Sequence, residues 1–118
     1  MMATDDREDL IQAYFDAMDE EDPAIARDAL ADEFVYESLT GTLEGFDGFA
    51  RYVNELRGLS NSTHEVSLLV HDEDASVAEG TVTGENDEGD VEAKFCDVVE
   101  FDDAEESITR ISVYLNDS

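Results

Sequence analysis

Residues 91–101 read VEAKFCDVVEF, and strict alternation puts Val91, Ala93, Phe95, Asp97, Val99 and Phe101 on one side of an extended chain. Glu92, Lys94, Cys96, Val98 and Glu100 take the other side, a set more tolerant of water. The first set is therefore the core-facing row, and it contains an aspartate. A carboxylate on such a row must be neutral, paired or reached by water, because burying it uncompensated costs several kcal/mol.

The same two-residue period continues outward from this stretch. THEVSLLVH (63–71), ASVAEGTVTG (75–84), DVEAKFCDVVEF (90–101) and SITRISVYLN (107–116) each read as a strand, separated by the short polar runs DEDA, ENDEG and DDAEE. Four consecutive strands with such connections predict an antiparallel meander. Towards the N-terminus the period changes. Leu10, Ile11, Tyr14, Phe15 and Met18 form one helical stripe, and Asp5 followed by Glu8 resembles a capping box, which predicts a helix from Asp6 to Glu20. Asp22-Pro23 supplies a cap and a first helical proline for a second, shorter helix carrying Ile25, Ala26, Ala29 and Leu30. EFVYES (33–38) alternates into a strand, and LTGTLEG (39–45) turns the chain. A third helix follows, with Asp47 as its expected cap, Phe49, Tyr52, Val53 and Leu56 on its apolar face and Gly58 as its stop. Three amphipathic helices and an antiparallel sheet with one apolar face give an α+β fold, a single domain over residues 1–118.

Charge narrows the function. The 33 Asp and Glu against 6 Lys and Arg give a formal net charge of -27, spread along the whole chain. With no cluster of cations to displace counterions from phosphates, nucleic acid and anionic membrane surfaces are excluded as partners. A dispersed acidic surface with Lys94 as its one lysine resembles the proteins of salt-accumulating halophiles. The apolar share of 42% still suffices for a folded core, so the charge does not imply disorder. The lone Cys96 cannot form an internal disulfide, the opening MMATDDREDL lacks a basic segment followed by an apolar one, and no apolar run reaches bilayer length. A cytoplasmic protein is the expectation.

LIQAYFDAMDEEDPAIARDALADEFVYES (10–38), LEGFDGFARYV (43–53), VAEGTVTGENDEGDVEAKFCDVVEF (77–101) and ITRISVYL (108–115) together resemble the SnoaL-like proteins of the nuclear-transport-factor-2-like superfamily. The resemblance implies a cone, the cystatin-like arrangement in which a curved antiparallel sheet wraps around helices and leaves a mostly apolar pocket. It further implies a homodimer, with convex sheet faces packed back to back. Members include polyketide cyclases, ketosteroid isomerases, epoxide hydrolases, dehydratases and non-catalytic binding proteins. A small, largely apolar ligand is thus expected. Either cofactor-free isomerase, cyclase, hydrolase or dehydratase chemistry centres on Asp97, or the chain is a non-enzymatic ligand-binding or accessory dimerisation domain.

Asp97 is the leading catalytic candidate, able to take a proton beside a carbonyl or, held neutral, to give one to a developing oxyanion. Its structural alternative is a bond to a helix amide or an arginine. His64 shares parity with Val66, Leu68 and Val70, which faces it into the same cavity to orient or share a proton with Asp97. Tyr14 and Tyr36 carry hydroxyls on apolar faces and suit a ligand oxygen. Met18, Phe34, Phe49, Tyr52 and Phe95 supply the apolar wall or pack the core. Glu79 is a second inward carboxylate if Val77, Glu79 and Thr81 face in, and is outside if Ala78, Gly80 and Val82 do. His71 has opposite parity to His64, and no zinc or calcium spacing occurs, so neither a metal nor a cofactor is expected.

Overall fold

A computed structural model describes residues 3–38, 41–56, 59–102 and 107–116. Helix α1 spans Ala3–Asp19, starting early enough that Asp5 lies inside its first turn instead of capping it. Asp22 does cap the following 3-10 helix, Pro23–Ala29, by accepting a hydrogen bond from the Ala24 amide at 3.2 Å. Strand β1 (Leu30–Ser38) and the short β2 (Gly41–Glu44) form an antiparallel pair. Helix α2 (Gly45–Arg51) opens on Glu44 as its cap residue, so Asp47 sits in the first turn, where its charge suits the helix dipole. The chain then widens into a π-helical turn, Tyr52–Leu56. Gly58, the side chain of Leu56 and residues 103–106 of the last expected turn lie outside the described residues.

Strands β3 (Ser60–His71), β4 (Ala75–Asn86), β5 (Gly89–Phe101) and β6 (Ile108–Asn116) make the expected antiparallel meander. The six-stranded order is β2-β1-β6-β5-β4-β3. One pair departs from an all-antiparallel sheet, because β1 lies parallel to β6. Turn chemistry fixes neighbours within a meander but does not say which edge an earlier strand joins, and this one enters beside the last. Gly89, with φ of +124°, takes the left-handed position of the β4–β5 hairpin that an L side chain resists. No helix among the described residues is long and apolar enough to cross a membrane.

The core lies between the helices and one face of the sheet. Ala93, Phe95, Asp97 and Val99 of β5, Ser76, Ala78, Gly80 and Val82 of β4, and Phe34 and Tyr36 of β1 are all buried on it. Ile11, Tyr14, Phe15 and Met18 of α1 pack against them, as the helical stripe requires. Glu79 is exposed opposite Cys96, which settles the ambiguous β4 register: the small residues face in.

Strand β3 breaks the parity expected of it. His64 pairs with inward Val82 and Val66 with Gly80, but the register slips before Leu68 pairs with Glu79, so Leu69 and His71 are the next inward residues. Both histidines therefore face the helices, whereas Leu68 and Val70 are half exposed on the outer face. Gly80 permits the bulge. A Cβ there would come 1.9 Å from the Glu65 carbonyl oxygen.

Arg7 locks α1 to this end of the sheet. The residue is 4% exposed, and its guanidinium donates to the carbonyls of Asp72 at 2.6 Å, Glu73 at 2.8 Å and Ala75 at 3.2 Å while lying 5.0 Å from the Phe101 ring centroid. Carbonyl oxygens and an aromatic face thus replace the water lost by a buried cation.

Candidate functional site

Asp97 points inward at the middle of β5 and is 2% exposed. Its Oδ1 has no hydrogen-bond partner in the protein. Neither a helix amide nor an arginine satisfies that oxygen, as a purely anchoring carboxylate would require. Burial pushes its carboxyl up to about 7, and a hydrogen bond from Tyr14 pulls in the opposite direction.

Asp97 belongs to the wall of a cavity of about 90 Å³. Tyr14 and Met18 of α1, Tyr36 of β1, Tyr52 of the π-helical turn, His64 of β3 and Phe95 of β5 share that wall with Asp97. Leu59, Val82 and Val113 complete it. The alternation of β4 had left the side of Val82 open, and none of the three was among the expected site residues. Phe34 and Phe49 do not line it; both are fully buried behind Tyr36, with ring centroids 6.3 and 6.1 Å from the Tyr36 ring. Their work is packing.

The tyrosine hydroxyls form a chain leading to the acid. Tyr14 and Tyr36 lie 3.3 Å apart, oxygen to oxygen, and the Tyr36 hydroxyl also hydrogen-bonds Tyr52. Burial, then the charge of Asp97, holds the Tyr14 phenol well above its usual range; burial, then Tyr52 and Asp97, does the same for Tyr36. Both stay protonated and can donate.

His64 reaches this wall with a partner that parity could not name. Its Nδ1 is 2.6 Å from Asp19 Oδ1, its backbone amide donates to Asp19 Oδ2 at 3.0 Å, and Ser62 Oγ donates to Oδ1 at 2.9 Å. The ring lies between Phe15 and Phe95, with centroids 5.0 and 5.2 Å away. Asp19 ends α1, one turn beyond Phe15 on the inward stripe, and that position was its only signal in the sequence. His71 does different work, bonding the buried Ser76 hydroxyl at 2.6 Å and lying 3.3 Å from Glu8.

Among the described residues no group of three or more His, Cys, Asp or Glu is placed to hold a metal. Burial, then the charges of Glu79 and Asp97, pushes the Cys96 thiol up, which makes it a poor nucleophile. A larger groove of about 440 Å³ between Asn61, Gly84 and Asp90 is open and acidic; its wall includes none of the buried donors that mark the inner cavity.

The SnoaL-like domain family matches residues 11–111. No curated relative matches the chain. Among solved structures, an LEH-like epoxide hydrolase from M. tuberculosis is similar at 23% identity, covering 94% of this chain and 83% of that one, with a TM-score of 0.77. An NTF2-like protein of unknown function from Burkholderia pseudomallei K96243 superposes with a TM-score of 0.81 at 14% identity, over 94% of this chain and 91% of that one. A protein of ketosteroid-isomerase-like fold from Catenulispora acidiphila DSM 44928, in complex with trimethylamine, has a TM-score of 0.79 at 14% identity, over 89% and 83% of the two chains. At these identities the likeness is one of fold.

Proposed function

This chain belongs to the SnoaL-like domain family, and from that premise we propose that it binds a compact, largely apolar molecule in its inner cavity and moves a proton on it without a cofactor. The observation that carries the reading is Asp97, a buried residue of the cavity wall that has one carboxylate oxygen without a hydrogen-bond partner and its carboxyl pushed up to about 7. Such a group populates both forms near neutrality, so it can receive a proton or donate one. Tyr14, Tyr36 and Tyr52 bring hydroxyls to the same space, suited to a carbonyl or hydroxyl oxygen of the ligand. The volume, about 90 Å³, corresponds to roughly three waters of liquid volume and is below the ~300 Å³ at which drug-sized sites begin. Large fused-ring substrates are therefore disfavoured.

Butanone is a suitable probe. Asp97→Asn is expected to slow protein-dependent exchange of its α-hydrogens in deuterium oxide by about a hundredfold or more, as followed by proton NMR. Binding of the ketone and the circular dichroism of the fold should persist. Wild-type exchange in the variant would refute the catalytic reading and leave a binding domain.

We also propose a homodimer through the outer sheet face, where Leu68, Val70 and Tyr114 are 50%, 47% and 61% exposed. Sedimentation as a monomer at micromolar concentration would refute it. A salt-rich cytoplasm is the environment that suits the surface charge.

A further inference from the structure

A carboxyl that trades protons with bulk water needs a path to it, and Asp97 is 2% exposed. The hydroxyl row on the cavity wall offers that path. Tyr14 donates a hydrogen bond to Asp97, the Tyr14 and Tyr36 oxygens lie 3.3 Å apart, and Tyr36 hydrogen-bonds Tyr52, whose ring centroid is 4.7 Å from its own. Tyr14 and Tyr36 are as inaccessible as the acid, at 0% and 1% exposed, whereas Tyr52, which opens the π-helical turn after α2, is only partly buried. The row thus runs from the sealed acid to the one partly exposed residue of the four. Each phenol hydroxyl is both donor and acceptor, the property that a proton chain requires of every link.

We propose that Tyr14, Tyr36 and Tyr52 form a proton relay that unloads and reloads Asp97, with Tyr52 as its solvent end. The role rests on reading Asp97 as the group that moves a proton on the ligand. To unload, Asp97 gives its proton to the Tyr14 oxygen as the Tyr14 hydroxyl proton passes to Tyr36, that of Tyr36 to Tyr52 and that of Tyr52 to water. One O–H bond breaks and one forms at each tyrosine, so all three end neutral, Asp97 ends as a carboxylate and the water as hydronium. Reloading reverses every step. Burial holds the Tyr14 and Tyr36 phenols well above their usual range, so no tyrosinate persists and the protons shift together. The relay decides the fate of a proton taken from a ligand. Without it, Asp97 returns the same proton to the carbon it left, and no solvent label enters; with it, solvent hydrogen takes the place of that proton before the return.

NMR of the chain labelled with carbon-13 at tyrosine Cζ, in equal parts of water and deuterium oxide, reads the exchange rate of each hydroxyl without any ligand. Fast exchange at Tyr14 and Tyr36 is expected in the wild-type chain, although both are buried. Tyr52→Phe should slow both at least about tenfold. Tyr36→Phe should slow Tyr14 as much and leave Tyr52 fast, an order along the chain that a general loosening of the fold does not produce. A Tyr14 rate that stays at the wild-type value, or rises, in either variant overturns the relay. With butanone in deuterium oxide, Tyr36→Phe should also slow α-hydrogen exchange at least about tenfold. Ordered slowing at the hydroxyls together with wild-type butanone exchange in Asp97→Asn refutes the catalytic reading of Asp97 and leaves the proton path standing. Butanone exchange lost in Asp97→Asn, with a Tyr14 rate indifferent to both cuts, refutes the relay and leaves that reading standing.

Discussion

Burying Asp97 destabilises its ionised form, and the consequence for stability has a definite sign. The unfolded chain ionises this group near 3.8, whereas the folded chain holds the proton up to about 7. Between those values the native state binds more protons than the unfolded state, so this group makes stability fall as pH rises. Below the window its penalty vanishes; above, it is complete at about 4 kcal/mol, from roughly three pKa units at 1.36 kcal/mol each. Asp97→Asn should therefore gain stability relative to wild type from pH 4 to 7 and then hold a constant advantage. Urea midpoints across that range measure the difference, and parallel curves would show that the native site does not disfavour the charge. The residue itself was legible, because β5 parity alone turned it inward. Asp19 was not, since its meeting with His64 joins positions 45 apart in sequence and no local pattern encodes it.

At the scale of elements, the decisive departure from simple alternation is the β3 bulge. A one-residue slip reverses which side every later residue faces, which is why Leu68 and Val70 lie outside while His71 joins His64 on the inner side. Propensity does not mark such a slip in a run as uniformly strand-like as EVSLLV. Its clue lies on the neighbouring strand, where Gly80 lets the Glu65 and Val66 backbone approach. Gly80→Ala would put a methyl 1.9 Å from the Glu65 oxygen and 2.9 Å from the Val66 Cα, both backbone atoms that cannot rotate away. A loss of about 3 kcal/mol, seen as a lower urea midpoint, is expected. An unchanged midpoint would mean that β3 and β4 can separate there without penalty. The helices were easier to read because their apolar stripes span several turns, although α1 begins at Ala3 and α2 opens on Glu44 instead of Asp47.

The whole molecule combines a small inner cavity with a net charge of -27. Self-repulsion among so many surface acids is screened over roughly 10 Å in 0.1 M salt but about 3 Å in 1 M salt. The melting temperature should thus rise steeply with sodium chloride and native circular dichroism should weaken on dialysis into dilute buffer. Full retention of structure there would remove the case for a salt-adapted protein. The aromatic inventory has a practical outcome as well. The chain contains 4 tyrosines and 0 tryptophans, and Tyr14, Tyr36 and Tyr52 all line the cavity while Tyr114 is 61% exposed outside it. Near-ultraviolet emission from this protein therefore originates mainly at the cavity wall, so an arriving guest announces itself in intrinsic fluorescence, with no label, dye or cofactor required.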